Sequence, residues 1–190
     1  MAAFREERQE IVFPDDWEVV RYEDSDHARR LMQNWRFKIR TRKAKVGAPS
    51  EWTPNPLSQA VIDFVAWVPA SAQLLLIEIK DYRQATAGGD QVPAELADWV
   101  AWKARDAMAG LAVAATCPES DLHDFARRAL TVTRVRVFVD VKWPPTDPVT
   151  ANRRRDQQLN LSQKLGPLSK DSFIIDPTVT VPWQTKDLAQ

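Results

Sequence analysis

The segment from Ala60 to Arg83 constrains the fold more than any other part of this chain. Its sequence, AVIDFVAWVPASAQLLLIEIKDYR, contains two apolar runs separated by the turn-forming stretch from Pro69 to Ala72. We therefore predict two antiparallel strands, one from Val61 to Trp67 and one from Gln73 to Lys80. Three charged side chains interrupt these otherwise apolar strands: Asp63, Glu78 and Lys80.

The predicted turn sets which residues of the two strands lie opposite each other. If the hairpin is centred between Ala70 and Ser71, Asp63 pairs with Glu78, and Lys80 shares the face of Glu78 because side chains alternate along a strand. Two facing carboxylates repel each other and lose solvation on a half-buried sheet. A divalent cation with oxygen ligands, or protonation of one acid, would remove this repulsion.

This arrangement resembles the PD-(D/E)XK nuclease superfamily, with Asp63 as the first acid and Glu78, Ile79 and Lys80 as the E-X-K element. The resemblance implies that Asp63, Glu78 and the carbonyl of Ile79 bind Mg²⁺ or Mn²⁺. It also implies that Asp63, Glu78 and Lys80 are the catalytic residues, with the lysine assisting the attacking water. Ile62 stands where a proline often precedes the first acid. The motif covers a short part of the chain, and a surface salt bridge or a decorated sheet is the alternative interpretation.

The composition limits the class of protein without identifying it. The 190 residues suit one domain, and the 26 basic and 26 acidic residues give a formal net charge of zero, so only a local patch could attract nucleic acid. The single Cys117 excludes an internal disulfide and suits a reducing compartment. No apolar run reaches the ~20 residues that span a bilayer. We therefore expect a soluble cytoplasmic protein with no membrane partner.

The charge of the first fifty residues changes from acidic to basic along the chain. Residues 6–26 are rich in acids, of which Glu18 and Glu23 are candidates to join the site, although solvated surface carboxylates are the simpler interpretation. Ser25 or Asp24 could begin a helix that runs through His27. Residues 29–45, here called the basic segment, contain no acid and interleave Trp35 and Phe37 with basic residues. Aromatic and basic side chains together suit a nucleic acid, although a solvated helix face or a surface paired with the acidic segment is an equal alternative. The candidate contacts are Arg36, Lys38, Arg40, Arg42 and Lys43.

The remaining chain supplies the other elements of the predicted fold. Apolar residues at helical spacing predict a mainly structural helix from Pro93 to Cys117, with Lys103 outside its apolar stripe. A short helix over 121–130 follows. Residues 134–143 alternate and predict a strand whose second face is polar. A polar helix over 150–165, a short strand over 173–175 and an irregular tail complete the chain.

This order predicts an α/β fold with a restriction-endonuclease-like mixed β-sheet flanked by helices. We expect one domain over 1–190, with a helical and basic N-terminal extension over 1–50 and a nuclease-like core over 57–176. The resemblance implies a Mg²⁺-dependent endonuclease that hydrolyses phosphodiester bonds, with DNA favoured over RNA as the substrate. The alternatives are an inactive module of the same fold that binds nucleic acid or a protein partner, and a subunit whose tryptophans serve a homodimer or another protein interface.

Overall fold

The computed structural model describes residues 2–6, 9–30, 61–83, 95–142, 150–169, 171–175 and 181–188. In these ranges the chain is a mixed α/β fold with two sheets. The strands are β1 (Ala2–Glu6), β2 (Gln9–Phe13), β3 (Glu18–Arg21), β4 (Phe64–Val68), β5 (Gln73–Asp81), β6 (Arg134–Lys142), β7 (Asp171–Ile175) and β8 (Gln184–Asp187). The helices are α1 (residues 26–30), α2 (Leu96–Thr116), α3 (His123–Ala129) and α4 (Thr150–Leu165).

The larger sheet has five strands in the order β3-β4-β5-β6-β7. The first three run antiparallel, whereas β5, β6 and β7 run parallel. Helix α2 and the short α3 make the long crossover from β5 to β6 that a parallel pair requires. The predicted hairpin register is confirmed, because Phe64 pairs with Ile77 and Val68 pairs with Gln73. Ala72 closes the hairpin turn in a left-handed conformation, with φ 49°.

Each face of this sheet is covered by a different layer. Val65, Leu76 and Val139 pack with the apolar residues of α2, α3 and α4, which form the larger apolar core. On the opposite face, Phe64 and Ile77 pack with apolar residues of the smaller sheet and its neighbours, including Ile11, Phe13 and Trp183. The molecule therefore has three layers in its described part: helices, five-stranded sheet and three-stranded sheet.

The three-stranded sheet, in the order β1-β2-β8, differs from the expected chain organisation. The strands β1, β2 and β3 lie in the stretch where we expected the start of a helical extension, and β3 pairs with β4 of the main sheet. The tail, expected to be irregular, is also a strand in part. The buried positions of β2 alternate, but Gln9 and Glu10 at its start interrupt the apolar run that would have marked it as a strand in the sequence.

The second face of β6 is also different from the prediction. Phe138 lies in the apolar layer between the sheets, with its ring 5.3 Å from that of Trp183 and 5.6 Å from that of Phe173. The guanidinium of Arg136 lies over both phenylalanine rings, at 4.8 and 5.1 Å. The face that we predicted as polar therefore contributes Phe138 to an apolar layer under the unpredicted second sheet, while its other residues, Arg134, Arg136, Asp140 and Lys142, are charged as expected.

Helix α1 starts at a well-defined point beside the core. The Ser25 hydroxyl accepts a hydrogen bond from the Ala28 N–H, and the Asp121 carboxylate accepts from the N–H groups of Asp26 and His27. These bonds satisfy N–H groups that have no partner inside the helix. Of the two predicted caps, Ser25 and Asp24, the structure shows Ser25. Residues 31–50, which include most of the basic segment and all five of its candidate contacts, lie outside the described residues.

Helix α2 carries one acid with an unusual environment. Burial raises the pKa of Asp106 to about 6. The Tyr22 hydroxyl is buried without a hydrogen-bond partner, and burial together with the charges of Asp106 and Asp121 raises its pKa. Ionised Asp106 is therefore less favourable in the folded protein than in the unfolded chain.

We expect Asp106→Asn to stabilise the protein at neutral pH. Between about pH 4 and pH 6 the folded protein binds more protons than the unfolded chain, so wild-type stability falls as the pH rises through this window. Asparagine cannot ionise, so the variant should be more stable than wild type by about 1–2 kcal/mol at pH 7, after allowing for solvent screening. Urea unfolding at pH 4 and pH 7 measures this. An advantage that is equal at both pH values would contradict the assignment.

Candidate functional site

Asp63, Glu78 and Lys80 lie on the helix-covered face of the main sheet. Asp63 immediately precedes β4, and the register that pairs Phe64 with Ile77 places it opposite Glu78. Glu78 lies on the same face of β5 as Leu74 and Leu76, whose side chains belong to the helix-side core. The structure therefore brings together the three charged residues that interrupt the apolar hairpin.

Direct contacts join these side chains. The Asp63 carboxylate accepts a hydrogen bond of 2.7 Å from the Ile79 N–H. Lys80 Nζ lies 2.9 Å from Glu78 Oε1 and 3.9 Å from Asp63 Oδ2. Both acids are buried, with residue exposures of 2% for Asp63 and 1% for Glu78. The carboxylates are thus held by the sheet itself, while Lys80 spans both from its more exposed side.

A fourth residue, Lys103, completes the cluster from helix α2. Its Nζ lies 2.5 Å from Glu78 Oε1, and the residue is only 5% exposed. The apolar spacing of α2 predicted a mainly structural helix, whereas at this position the helix supplies a charged partner to the site. This contact joins a lysine on a helix to an acid on the strand beneath it. The spacing of residues within a single helix or strand does not reveal such a contact.

The electrostatics of the cluster are set by burial. The pKa of Asp63 is raised to about 8, first by burial and then by the Glu78 carboxylate, while Lys80, Lys103 and the Ile79 N–H oppose the rise. The two lysines both contact Glu78 Oε1. Glu78 Oε2 is buried without a hydrogen-bond partner. A buried carboxylate oxygen without a partner is costly, and it is free to accept a ligand.

The donor set of this cluster suits one class of metal ion better than others. In the part of the chain that the structure describes, no group of three or more His, Cys, Asp or Glu side chains is placed to hold one. Mg²⁺ commonly uses only one or two carboxylates and keeps several waters. Two adjacent carboxylates, one with an unpartnered oxygen, therefore fit a hard cation of this kind, and they fit a softer metal poorly because no sulfur or imidazole is involved.

The other candidate acids lie elsewhere. Glu18 pairs with Arg128, 2.5 Å apart, at the surface of β3 and α3. Glu23 pairs with Arg21 at 2.8 Å. Neither contact connects them with Asp63 or Glu78, so the surface interpretation of both is the one that the structure favours.

The neighbouring strand β6 repeats the acid-X-lysine spacing on the other face. Asp140 is buried, and Lys142 Nζ lies 3.2 Å from it. Asp140 pairs with Ile79, whose side chain is in the inter-sheet layer, so Asp140 points away from Glu78. This pair provides a matched comparison for the cluster around Glu78.

No family model matches the chain, and no solved structure matches it. A curated protein that does match is the cysteine–tRNA ligase of Neisseria meningitidis serogroup A / serotype 4A, which is 26% identical over 181 residues. The match covers 91% of this chain but only 24% of the ligase. This chain is therefore similar to about a quarter of that protein.

The helices of the described ranges are not suited to crossing a bilayer. None of them combines the length and the apolar character that a membrane span requires.

We expect Asp63→Asn to make the protein more stable in metal-free buffer. A carboxyl whose pKa is raised to about 8 binds a proton more readily in the folded protein than in the unfolded chain. Wild-type stability should therefore fall as the pH rises from about 4 to about 8, and the variant, which cannot ionise, should not lose stability for this reason. The gap between the two should widen across that range in urea unfolding with a chelator present.

The control for this experiment is Asp63→Ala. It removes the same ionisation but leaves the buried Ile79 N–H without its acceptor. Its pH dependence should match that of Asp63→Asn, at a lower stability by about 1–3 kcal/mol. Parallel curves for wild type and Asp63→Asn between pH 4 and pH 8 would show that Asp63 ionises normally in the folded protein.

Proposed function

We propose that this protein is a metal-dependent nuclease of the PD-(D/E)XK type. The observation that carries the proposal is the convergence of Asp63, Glu78 and Lys80 on one sheet face, with Glu78 Oε2 buried and unpartnered. A mixed sheet with helices on the face that carries these residues is compatible with a restriction-endonuclease-like fold. DNA is the substrate that the family resemblance favours.

The residues of the site have separate roles in this proposal. Asp63 Oδ2 is oriented by the Ile79 N–H, and Glu78 is oriented by two lysines, so both carboxylates are held before a substrate binds. Together with the Ile79 carbonyl they would hold Mg²⁺ or Mn²⁺. Such an ion polarises a phosphate and lowers the pKa of its bound water. Lys80, whose side chain is 25% exposed, would stabilise negative charge that develops on a phosphate.

RNA is a second substrate class to test. The curated protein similar to this chain is named as a tRNA ligase, and the shared region covers nearly all of this chain. The substrate panel should therefore contain duplex DNA, single-stranded DNA, a structured RNA and a tRNA transcript.

The catalytic test compares variants of the cluster with a matched pair on the other face. Asp63→Asn, Glu78→Gln and Lys80→Met should each reduce Mg²⁺-dependent cleavage at least about a hundredfold, since each removes a group that contacts the metal or the reacting phosphate. Asp140→Asn and Lys142→Met alter a buried acid and its lysine on the opposite face. Their cleavage rate should remain within about threefold of wild type, provided that circular dichroism shows them folded.

Two results would contradict the nuclease. If no member of the panel is cut with Mg²⁺ or Mn²⁺, the protein is better described as a non-catalytic module that binds nucleic acid or a protein partner. The observation that favours this alternative is the presence of two lysines beside two acids, since such a cluster can be neutral without a metal. If the variants on the two faces lose activity equally, the cluster around Glu78 is not the site.

The basic segment gives a separate prediction about binding. Changing Arg40, Arg42 and Lys43 to glutamine should weaken DNA binding and reduce the slope of log K against log salt by about 0.9 for each phosphate that the protein no longer neutralises. The control changes three exposed basic residues on α3, α4 and β8 to glutamine: Arg127, Arg155 and Lys186. It alters net charge equally and should leave the slope unchanged. Equal slopes for both triple variants would exclude the basic segment as the surface that binds DNA.

A further inference from the structure

Lys103 is a buried ammonium in contact with an acid of the candidate site. It projects from α2 and reaches Glu78 Oε1 at 2.5 Å. Lysine is rarely buried this deeply unless it is paired, because removing its charge from water is costly. Glu78 is therefore the acidic partner that stabilises the Lys103 ammonium group, and helix α2, which packs on the sheet, holds Lys103 in position.

The two lysines differ in burial. The side chain of Lys80 is 25% exposed and contacts both carboxylates. The side chain of Lys103 is 6% exposed and comes from the helix that covers the sheet. Of the two, Lys103 is the cation that is enclosed by the fold.

A fixed cation on one oxygen of a carboxylate affects what binds at the other. Lys103 and Lys80 contact Oε1 of Glu78, and Oε2 has no hydrogen-bond partner. A divalent ion at Oε2 would share this carboxylate with the ammonium group. Two cations that share one buried carboxylate repel each other, and the repulsion is screened less there than in water.

We propose that Lys103 is a positioning residue that orients Glu78 and, as a built-in cation, limits the affinity of the site for a divalent metal. The inference rests on the proposed function. Lys103 lies on α2, outside the E-X-K element. Its proposed effect is on the affinity for the metal and not on the chemical step. Lysine at this position holds the acid in place when no metal is bound, and it does so at the expense of metal binding.

The test measures Mn²⁺ binding to the full chain without nucleic acid, by titration calorimetry and by electron paramagnetic resonance of free Mn²⁺. Wild type should bind weakly. Lys103→Met removes the charge at nearly constant length and should bind at least tenfold more tightly. Lys103→Arg keeps the charge and should stay within threefold of wild type. Arg105→Met is the matched control, because Arg105 lies on the same helix at the surface, where it donates to the Lys164 carbonyl.

Folding is checked for each variant by circular dichroism and thermal melting. Lys103→Met leaves Glu78 with one fewer partner. Should it fail to fold, Lys103→Gln retains a hydrogen-bond donor without the charge and should show the same gain in affinity. Asp63→Asn should lose Mn²⁺ binding, which locates the measured ion at this cluster.

The results separate the two proposals. Unchanged or weaker Mn²⁺ binding by Lys103→Met and Lys103→Gln, with clear binding by wild type, overturns the role of Lys103 and leaves the nuclease proposal intact. An equal gain in Arg105→Met also overturns it, since general electrostatics would then explain the effect. Absence of Mn²⁺ binding in every variant overturns both proposals together.

Discussion

The antiparallel pairing of β4 with β5 determines where every charged group of the candidate site lies. It places Asp63 opposite Glu78, and it directs the Ile79 N–H to the Asp63 carboxylate. A shift of β5 by one residue would turn Glu78 away from Asp63 and toward the inter-sheet layer that contains Phe64 and Phe138. No lysine from α2 could then reach Glu78. The apolar residues on both faces of this hairpin therefore stabilise the register, and the register positions the residues of the site.

The cost of this arrangement explains the presence of two lysines. Two carboxylates buried side by side are unfavourable because each loses solvation and repels the other, and the same two causes raise the pKa of Asp63. One lysine from the same strand and one from the covering helix offset the charge. Asp140 on β6 requires fewer neighbouring cations, since it is a single buried acid with Lys142 beside it. The same acid-X-lysine spacing thus occurs in two environments, and only the one with a second acid has the features of a ligand site.

The predictable parts of the structure were those that one element or one turn determines. The hairpin register followed from the turn at Pro69–Ala72, and the alternation of β6 and the apolar spacing of α2 predicted a strand and a helix close to those observed. The role of Lys103 and the burial of Phe138 could not be predicted in this way. Each depends on which element covers a given face, and that information is distributed between segments distant in sequence. The strands β1, β2 and β8 were missed because they are short and contain charged or polar residues, unlike β4, which is equally short but wholly apolar.

The pairing of β2 with β8 has a consequence for how the chain reaches its native state. Gln9 pairs with Asp187, so the smaller sheet joins segments from the two extremes of the described chain. Closing so long a loop is entropically slow, whereas the β4–β5 hairpin closes over a short turn. We therefore expect the hairpin and α2 to form first. The inter-sheet layer of Ile11, Phe13 and Trp183 should be excluded from water later. During that interval the apolar underside of the main sheet would be open to solvent and to other chains, which makes the last pairing step the one most exposed to aggregation.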